Sequence, residues 1–330
     1  MRRYLTRKIL TYLLAFFIGV TIDWGIPRLM PGDPIQAMLS KFSLQSASYT
    51  AQYNAFAKTF GTDLPLWQQY LNYWKGMFTG NFGLSVWAPP AHVTTLIFSA
   101  LPYTLALLIP AVTLSYFVGN RLGAAAARRK WLDNSVLPLG YVFQAIPYPF
   151  LALLVPYLFG IVWHVFPLSH AYGQGLLPAW NWTFISSLLY HWFLPFLTLF
   201  IVSVGGWAIG MRNLVIYELE NDSSRYLRAL GANERVVRRY AYRNASLPQL
   251  SGLALALGVV IGGSIVTEVA FQYPGLGTLI FNAVTNNDYF LLQGIFIFMV
   301  IAVLVANFVI DLVYISVDPR TRLSMQGSTA

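Results

Sequence analysis

Residues 134–211 read NSVLPLGYVFQAIPYPFLALLVPYLFGIVWHVFPLSHAYGQGLLPAWNWTFISSLLYHWFLPFLTLFIVSVGGWAIGM. These 78 consecutive residues contain no Asp, Glu, Lys or Arg. Because an α-helix crosses the roughly 30 Å hydrocarbon core of a bilayer in about 20 residues, the stretch is long enough for two membrane spans and a turn. The polar, proline-bearing part at 167–181 divides the two spans. The sequence therefore predicts a membrane protein built from α-helices.

The composition of the whole chain supports this prediction. Of 330 residues, 57% are hydrophobic and only 10% are charged, against roughly a quarter in soluble proteins. Too few polar side chains are present to cover a water-soluble globule, and a disordered chain would lack the apolar residues. Cysteine is absent, which excludes disulfides, thiol nucleophiles and thiolate metal sites. The formal net charge of +9 is expected to set orientation in the membrane, and we do not expect nucleic acid as a partner.

Further apolar runs bring the expected number of spans to six. The first run covers residues 9–26, the second 101–120, the fifth 251–267 and the sixth 290–315. The first is longer than the 7 to 15 residues of a signal-peptide core, so we expect it to be retained. The predicted fold class is an all-α membrane protein with six transmembrane helices and a long external segment, residues 27–98, after the first.

The distribution of basic residues predicts the orientation. The segments before the first span and after the second, fourth and sixth hold 17 of the 21 Lys and Arg residues, whereas the two short loops on the other side hold none. By the positive-inside rule, both termini are expected in the cytoplasm. The predicted division is a cytoplasmic N-terminus with the first span at 1–26, an external subdomain at 27–98 and a transmembrane core at 99–330. A cytoplasmic loop at 212–249 belongs to that core.

Aromatic residues recur at near-helical spacing inside the external segment, at Trp67, Tyr70, Tyr73 and Trp74. This spacing predicts a helix in an external subdomain. Anchoring at the lipid interface is the alternative role for these side chains, since aromatic residues concentrate there.

The loop at 212–249 can form an amphipathic helix. At 100° per residue, five apolar side chains fall on one side: Leu227, Leu230, Val237, Tyr240 and Ala241. Five basic side chains fall on the other: Arg228, Arg235, Arg238, Arg239 and Arg243. Gly231 costs roughly 1 kcal/mol of helix propensity, so two helices joined there and one long helix both fit the sequence. The loop would either dock into a cytoplasmic partner or lie on anionic lipid headgroups.

Motifs for self-contained chemistry are missing from the sequence. There is no Gly-Lys dipeptide and hence no P-loop, no His-Glu-x-x-His and no Gly-x-Ser-x-Gly. We therefore expect no catalytic residues, no metal and no cofactor bound by this chain. Three carboxylates, Asp23, Glu268 and Asp311, lie near predicted span ends, where a structural role is favoured over a proton relay.

Several short motifs occur in a fixed order along the chain. They are MPGDP at 30–34, RALG at 228–231, RNASLP at 243–248, EVAFQYPGLG at 268–277, NDY at 287–289 and DPR at 318–320. Together they resemble the membrane-spanning permease subunits of ABC importers, in the dipeptide, oligopeptide and nickel branch. The chain departs from the family pattern at Tyr226 and Leu227, where the family has an alanine pair, and at Tyr240, where it has a histidine.

The resemblance implies the type I permease fold and a division of labour. An external solute-binding protein would deliver the solute, and this chain with a second, homologous permease would form the pathway in the plasma (inner) membrane of a prokaryote. Two cytoplasmic ATPase subunits would bind ATP and Mg and drive transport, and membrane lipids would surround the spans. This chain would be a non-catalytic subunit. Peptides are the expected solute, with oligosaccharides or nickel chelates as alternatives.

The resemblance also implies roles for three groups of residues. The coupling loop for the ATPase would contain Arg228, Ala229, Gly231, Glu234, Arg235, Val237 and Arg238. An external turn near the pathway would contain Glu268, Pro274, Gly275 and Gly277, with a plain reversal between spans five and six as its alternative role. Structural charges near the cytoplasmic end would be Asp311, Asp318 and Arg320. A stand-alone channel, or a carrier coupled to an ion at Asp23, Glu268 or Asp311, remains the competing function.

Overall fold

The computed structural model describes residues 2–40 and 46–317, and within them the chain is helical. The α-helices are, in chain order, α1 (Arg2–Gly25), α2 (Pro34–Leu39), α3 (Ser46–Phe60), α4 (Leu66–Thr79), α5 (Val93–Ala126), α6 (Lys130–Ala145), α7 (Tyr148–Pro156), α8 (Trp182–Glu220), α9 (Asp222–Ala229), α10 (Glu234–Ala270), α11 (Leu276–Thr285) and α12 (Tyr289–Val317). The chain forms two compact units. Unit 1 contains the chain up to Thr104 together with Pro274–Leu304, and unit 2 contains Leu105–Tyr273 and the chain from Val305 onward.

The described residues include four helices that are long and apolar enough to cross a membrane. They are Lys8–Leu29, Val93–Ala126, Trp182–Glu220 and Tyr289–Val309, and they contain or overlap the predicted first, second, fourth and sixth spans. A bent pair, Lys130–Ala145 with Pro149–Val162, makes a fifth candidate, and its two parts meet at 105°. The predicted fifth span lies within α10, which is one continuous helix. The described residues thus confirm a helical protein with several apolar spans.

The bend in the third predicted span has a local cause. Helix α6 ends at Ala145 because Pro147 follows two residues later. A residue before proline is pushed towards extended backbone, and Ile146 has φ −75° and ψ 122°. Pro147 then serves as the N-cap residue of α7, and a π-helix at Tyr157–Val162 follows that helix. The span is therefore two segments, where the sequence led us to expect one.

The MPGDP motif forms the start of α2 in unit 1. Gly32 has φ +117°, in the region that favours glycine. Asp33 is the N-cap residue, and its Oδ1 accepts hydrogen bonds from the backbone N–H of Ile35 at 2.8 Å and of Gln36 at 3.3 Å. Pro34 occupies the first helical position, where its missing N–H costs nothing. The motif therefore has a structural role as a chain reversal and helix cap.

Helix α4 confirms the helix predicted from the aromatic spacing, and it packs along α1. The rings of Trp74 and Phe17 stack with centroids 5.6 Å apart, and Tyr70 contacts Trp24 edge to face at 5.2 Å. The Tyr73 hydroxyl donates a hydrogen bond to the buried carboxylate of Asp23. Trp67, in contrast, is 65% exposed. Three of the four aromatic residues thus hold α4 against the first apolar helix.

Asp288 joins the segment before α5 to the start of α12, both in unit 1. The buried carboxylate accepts hydrogen bonds from Ser85 Oγ at 2.5 Å and from the backbone N–H of Trp87 at 2.9 Å and of Leu291 at 3.0 Å. Burial raises the pKa of the Asp288 carboxyl above its ordinary value of 3.8, although these hydrogen bonds act in the opposite direction. The NDY motif therefore serves as a tie between distant segments.

In unit 2, glycines allow α5 to pack closely against α8. A methyl group added at Gly123 would lie 2.1 Å from the carbonyl oxygen of Ala208, and one at Gly119 would lie 2.5 Å from Cβ of Trp207. Small residues of this kind let two membrane helices bring their backbones into contact. A bidentate ion pair between Arg212 and Asp133, at 2.9 and 2.8 Å, joins α8 to α6.

Candidate functional site

The candidate coupling segment consists of two helices joined at Gly231, as one of the two sequence interpretations has it. Helix α9 ends in a Schellman motif: the N–H of Gly231 bonds to the carbonyl of Arg228 at 2.9 Å, and that of Ala232 bonds to Leu227 at 3.0 Å. Gly231 has φ +78°, which other residues rarely adopt. We call α9, this turn and the first two turns of α10 the elbow. The elbow has a defined backbone geometry and is not an unstructured loop.

Glu234 holds the two arms of the elbow together. Its Oε1 lies 2.8 Å from Arg228 Nε in α9, and its Oε2 lies 3.6 Å from Arg238 Nε, one turn further along α10. Arg228 also donates from Nη1 to the carbonyl of Leu219 at 3.0 Å, near the end of α8. The hydrogen bond from Arg228 lowers the pKa of the Glu234 carboxyl below its ordinary value of 4.5. Three predicted coupling residues, Arg228, Glu234 and Arg238, thus form one charged network.

A row of small apolar side chains packs the start of α10 against the other helices of unit 2. Val237, Ala241 and Ala245 follow one another at intervals of four residues and are buried. Ala245 belongs to a cluster with Met211 of α8 and Ala124 of α5. Burial of Val237 and Ala241 agrees with the apolar face predicted for this segment. The three buried side chains hold the first turns of α10, and therefore the elbow, in a fixed position within unit 2.

The outer surface of the elbow carries exposed apolar side chains, although the helical wheel placed Leu230 on the same side as Val237 and did not include Tyr226 or Val236. Leu230 is 64% exposed, Tyr226 65% and Val236 54%. Leu230 was predicted on the same face as Val237. That prediction is wrong, because the left-handed turn at Gly231 takes Leu230 off the face that α10 buries. The sequence does contain a signal for these exposed positions: apolar residues stand on both sides of Gly231, where the amphipathic pattern is interrupted.

The remaining predicted coupling residues lie in the elbow but do not converge on one point. Ala229 is exposed in the last turn of α9, and Arg235 and Arg238 are exposed on α10. The two arginines, with Arg128 and Arg239, line a recess of about 350 Å³ beside Tyr242. This basic recess fits both interpretations of the loop, because protein carboxylates and lipid phosphates are both anions.

The predicted external turn contains two glycines, but neither has a positive φ. The residue with positive φ is Gln272, at +45°, and not a glycine. Gly275 is the N-cap residue of α11 in an extended conformation, and Gly277 lies inside that helix. The two glycines therefore do not form the tight turn themselves. Pro274 belongs to unit 1, whereas Glu268 is a buried residue of α10 in unit 2.

The acidic residues considered for an ion-coupled carrier lie on three different helices. Asp23 lies in α1 and bonds to Tyr73, Glu268 lies in α10 and Asp311 lies in α12. Among residues 2–40 and 46–317, no group of three or more His, Cys, Asp and Glu side chains could hold a metal ion. Two predicted structural charges, Asp318 and Arg320, fall outside the described residues.

The fold and the elbow together define a helical, multi-pass membrane protein with a basic, ordered segment between two long helices. The chain belongs to the family of binding-protein-dependent transport system inner membrane components, whose model matches residues 119–323. The resemblance read from the motifs is thus confirmed, and the chain is a permease component of such a transport system.

Curated relatives match the chain over almost its full length. The oligopeptide transport system permease protein AppB of Bacillus subtilis is 29% identical, over 97% of this chain and 99% of that protein. The di/tripeptide transport system permease protein DppB of Pseudomonas aeruginosa is 28% identical, over 98% and 99%. The dipeptide transport system permease protein DppB of Escherichia coli strain K12 is 27% identical, also over 98% and 99%.

Proposed function

We propose that this chain forms, with a second permease, the pathway of an ABC importer for short peptides. In this proposal it crosses the membrane six times, both termini are cytoplasmic and residues 27–98 lie outside. An external binding protein delivers the peptide, and two ATPase subunits carry ATP and Mg. Support for peptides comes from the oligopeptide and di/tripeptide permeases that match the chain over almost its full length.

The observation that carries the proposal is the construction of the elbow. Its inner side is anchored by Val237 and Ala241, which are fully buried, while its outer side exposes Leu230 and Val236. An exposed apolar group on a rigid, charged support is suited to insertion into a cleft of a partner. The elbow lies between α8 and α10, two long helices that carry predicted spans. A force applied to the elbow would therefore move both helices.

The charge of the elbow supports a protein partner on the same side as the basic loops. Positive residues of the elbow and the recess face outward, and a complementary acidic surface would bind them. We assign the coupling role to Arg228, Ala229, Gly231, Glu234, Arg235, Val237 and Arg238, and extend it to Leu230 and Val236. Of these, Val237 acts by anchoring the helix, since it is fully buried. Glu268, Pro274, Gly275 and Gly277 keep their proposed place near the external mouth, and Asp311 keeps its structural role.

Co-purification of the assembled transporter tests the proposal. The chain would be expressed with its partner permease and ATPases, and the amount of ATPase that remains bound after membrane solubilisation would be measured. We expect the double variant Leu230→Glu/Val236→Glu to lose most of the bound ATPase, because each substitution places a charge where an apolar contact is proposed. Leu177→Glu is the matched control, since Leu177 is 83% exposed on a different loop. Retention of ATPase at the wild-type level in the double variant would contradict the proposal.

A further inference from the structure

A cavity of about 730 Å³ lies within unit 1, and its size is typical of small-molecule sites. Its wall is formed by the segment after α1, parts of α3 and α4, residues 81–84 and the start of α12. Among the described residues of the wall, besides His92, there are one cation, Arg28, and one carboxylate, Asp33. Four amide side chains, including those of Gln69 and Asn72, also line the wall, although more of the lining surface is apolar than polar. The cavity thus has a mixed polar and apolar lining, with one group of each charge among its described residues.

Arg28 is held in a fixed orientation at this wall. Its Nη1 donates to the carbonyl of Trp24 at 2.7 Å, and its Nη2 donates to Oε1 of Gln69 at 2.9 Å. The guanidinium carbon lies 3.9 Å from the centroid of the Trp24 ring, a cation–π contact. These contacts use two of the five N–H donors, so three remain for a ligand.

The positive charge of Arg28 has no partner carboxylate in the described part of the chain. No Asp or Glu oxygen of residues 2–40 or 46–317 forms an ion pair with it, and residues 41–45 read KFSLQ, without an acid. Arg28 is half-buried. A half-buried cation without a counter-charge is unfavourable, and a bound anion would remove this cost. Guanidinium groups bind carboxylates in a two-pronged geometry that neutral donors do not reproduce.

Asp33 is also fixed, but its charge is of the other sign. Its Oδ1 accepts hydrogen bonds from the backbone N–H groups of Ile35 and Gln36. Its Oδ2 accepts a hydrogen bond from the hydroxyl of Tyr53 at 2.5 Å. A ligand with negative charge alone would be repelled by this carboxylate. A zwitterion, with one carboxylate and one ammonium group, matches the pair of charges in the wall.

We propose that this cavity binds a small zwitterion whose carboxylate pairs with Arg28 and whose ammonium group lies on the side of Asp33. The choice of a short peptide as that zwitterion rests on the proposed function. The cavity would then be a peptide-binding site of the permease itself, in addition to the binding protein.

Equilibrium dialysis of the assembled transporter in nanodiscs, without binding protein or nucleotide, tests this inference. The probe is radiolabelled Ala-Ala, and the competitors are Ala-Ala amide, which lacks the carboxylate, and N-acetyl-Ala-Ala, which lacks the ammonium group. We expect saturable binding of Ala-Ala, and each competitor to bind at least about tenfold more weakly than Ala-Ala, since charge-assisted hydrogen bonds contribute this much. The comparison of competitors uses unmodified protein, so it does not depend on a variant folding correctly.

Two variants locate the effect. Arg28→Gln should weaken binding of Ala-Ala at least about tenfold and should remove the preference for acid over amide. Lys75→Gln, which removes a positive charge from an exposed position of α4, should bind as the wild type does. Equal competition by acid and amide, wild-type affinity in Arg28→Gln, or no saturable binding up to about 10 mM would each overturn the inference.

Uptake of Ala-Ala by the complete transporter is measured on the same preparation. Uptake without binding in the cavity would overturn this inference and leave the proposed function in place. Binding without ATP-driven uptake would overturn the proposed function and leave the cavity assignment in place.

Discussion

Arg228 Nε lies 2.8 Å from Glu234 Oε1, so an ion pair closes the turn that joins α9 to α10. The two residues are on different helices, and their contact therefore restricts the angle between these helices. Arg238 approaches the other oxygen of Glu234 at 3.6 Å. In the proposed transporter the elbow transmits force between an ATPase and the spans. The ion pair between Arg228 and Glu234 would then make the elbow stiffer.

Replacement of Glu234 by Gln should loosen the elbow without unfolding the protein. The pair is solvent-exposed, so we expect a local effect: lower hydrogen-exchange protection of the amides at 228–236 and unchanged protection of the buried part of α10. Asp222→Asn is the matched control, since Asp222 pairs with Arg225 within α9 and does not cross the turn. Unchanged protection at 228–236 would show that the pair does not hold the turn.

The same contact predicts a pH dependence of the elbow. Because the pKa of Glu234 is lowered in the folded protein, its contribution is fully present above the unfolded value of about 4.5. The contribution should be lost as the pH falls from there through the folded pKa. Protection factors at 228–236 should therefore fall below about pH 4.5 in the wild type but not in Glu234→Gln. If the protection factors fell equally in the wild type and in Glu234→Gln, the pH dependence would come from another titratable group.

Gly231 should be required for coupling because of its backbone conformation. A β-branched side chain at φ +78° is strongly disfavoured, although space for it is available there. We expect Gly231→Val to reduce peptide-stimulated ATP hydrolysis of the reconstituted transporter by about tenfold or more, which needs about 1.4 kcal/mol. Gly175→Val places the same strain at φ +84° in a distant loop and should retain coupling. Equal losses in both variants would point to general destabilisation.

The bidentate pair between Arg212 and Asp133 should stabilise the contact of α8 with α6. Both side chains are about a quarter exposed, so we expect a coupling energy of about 1 kcal/mol in a double-mutant cycle. Thermal unfolding of Asp133→Ala, Arg212→Ala and the double variant measures it. The double variant should be more stable than the sum of the single effects predicts. Simple additivity would mean that the pair contributes nothing.

Asp288 should matter for stability more than an exposed carboxylate does. In Asp288→Asn, an amide NH₂ group replaces an oxygen that accepts from Ser85 and Trp87, leaving buried donors without an acceptor. We expect a loss of about 2 kcal/mol and a decrease of about 4–8 °C in the midpoint of thermal unfolding. Asp222→Asn serves as the control, because the Asp222 side chain is 98% exposed and should leave the midpoint unchanged. A wild-type midpoint for Asp288→Asn would contradict the structural role.

Features set by local chemistry could be predicted from the sequence. Apolar runs predicted the long helices, and the spacing of Tyr70, Tyr73 and Trp74 predicted α4. Gly231 marked the place where two helices could join, although one long helix fitted the sequence equally well. The resemblance to a permease family rested on short motifs in a fixed order, and the family match at 119–323 confirms it.

Features set by long-range packing or by competition among local conformations could not be predicted. The hydrogen bond between Ser85 and Asp288 joins residues 203 positions apart, so no local sequence pattern could predict it. Leu230 was misplaced because a helical wheel assumes a continuous helix through Gly231. At the turn predicted to be external, Gln272 takes the left-handed conformation although glycines follow closely. Only three-dimensional contacts show that Arg28 forms no ion pair with a carboxylate among the described residues.

Peptide uptake into proteoliposomes tests the central claim, that this chain is moved by partner ATPases and drives nothing alone. Vesicles containing only this chain should show no uptake of labelled Ala-Ala above empty vesicles, with or without a proton or sodium gradient. Vesicles containing the second permease, the ATPases and the external binding protein should accumulate it only with ATP inside the compartment that the ATPases face. Accumulation by this chain alone under an ion gradient, with no ATPase present, would contradict the account.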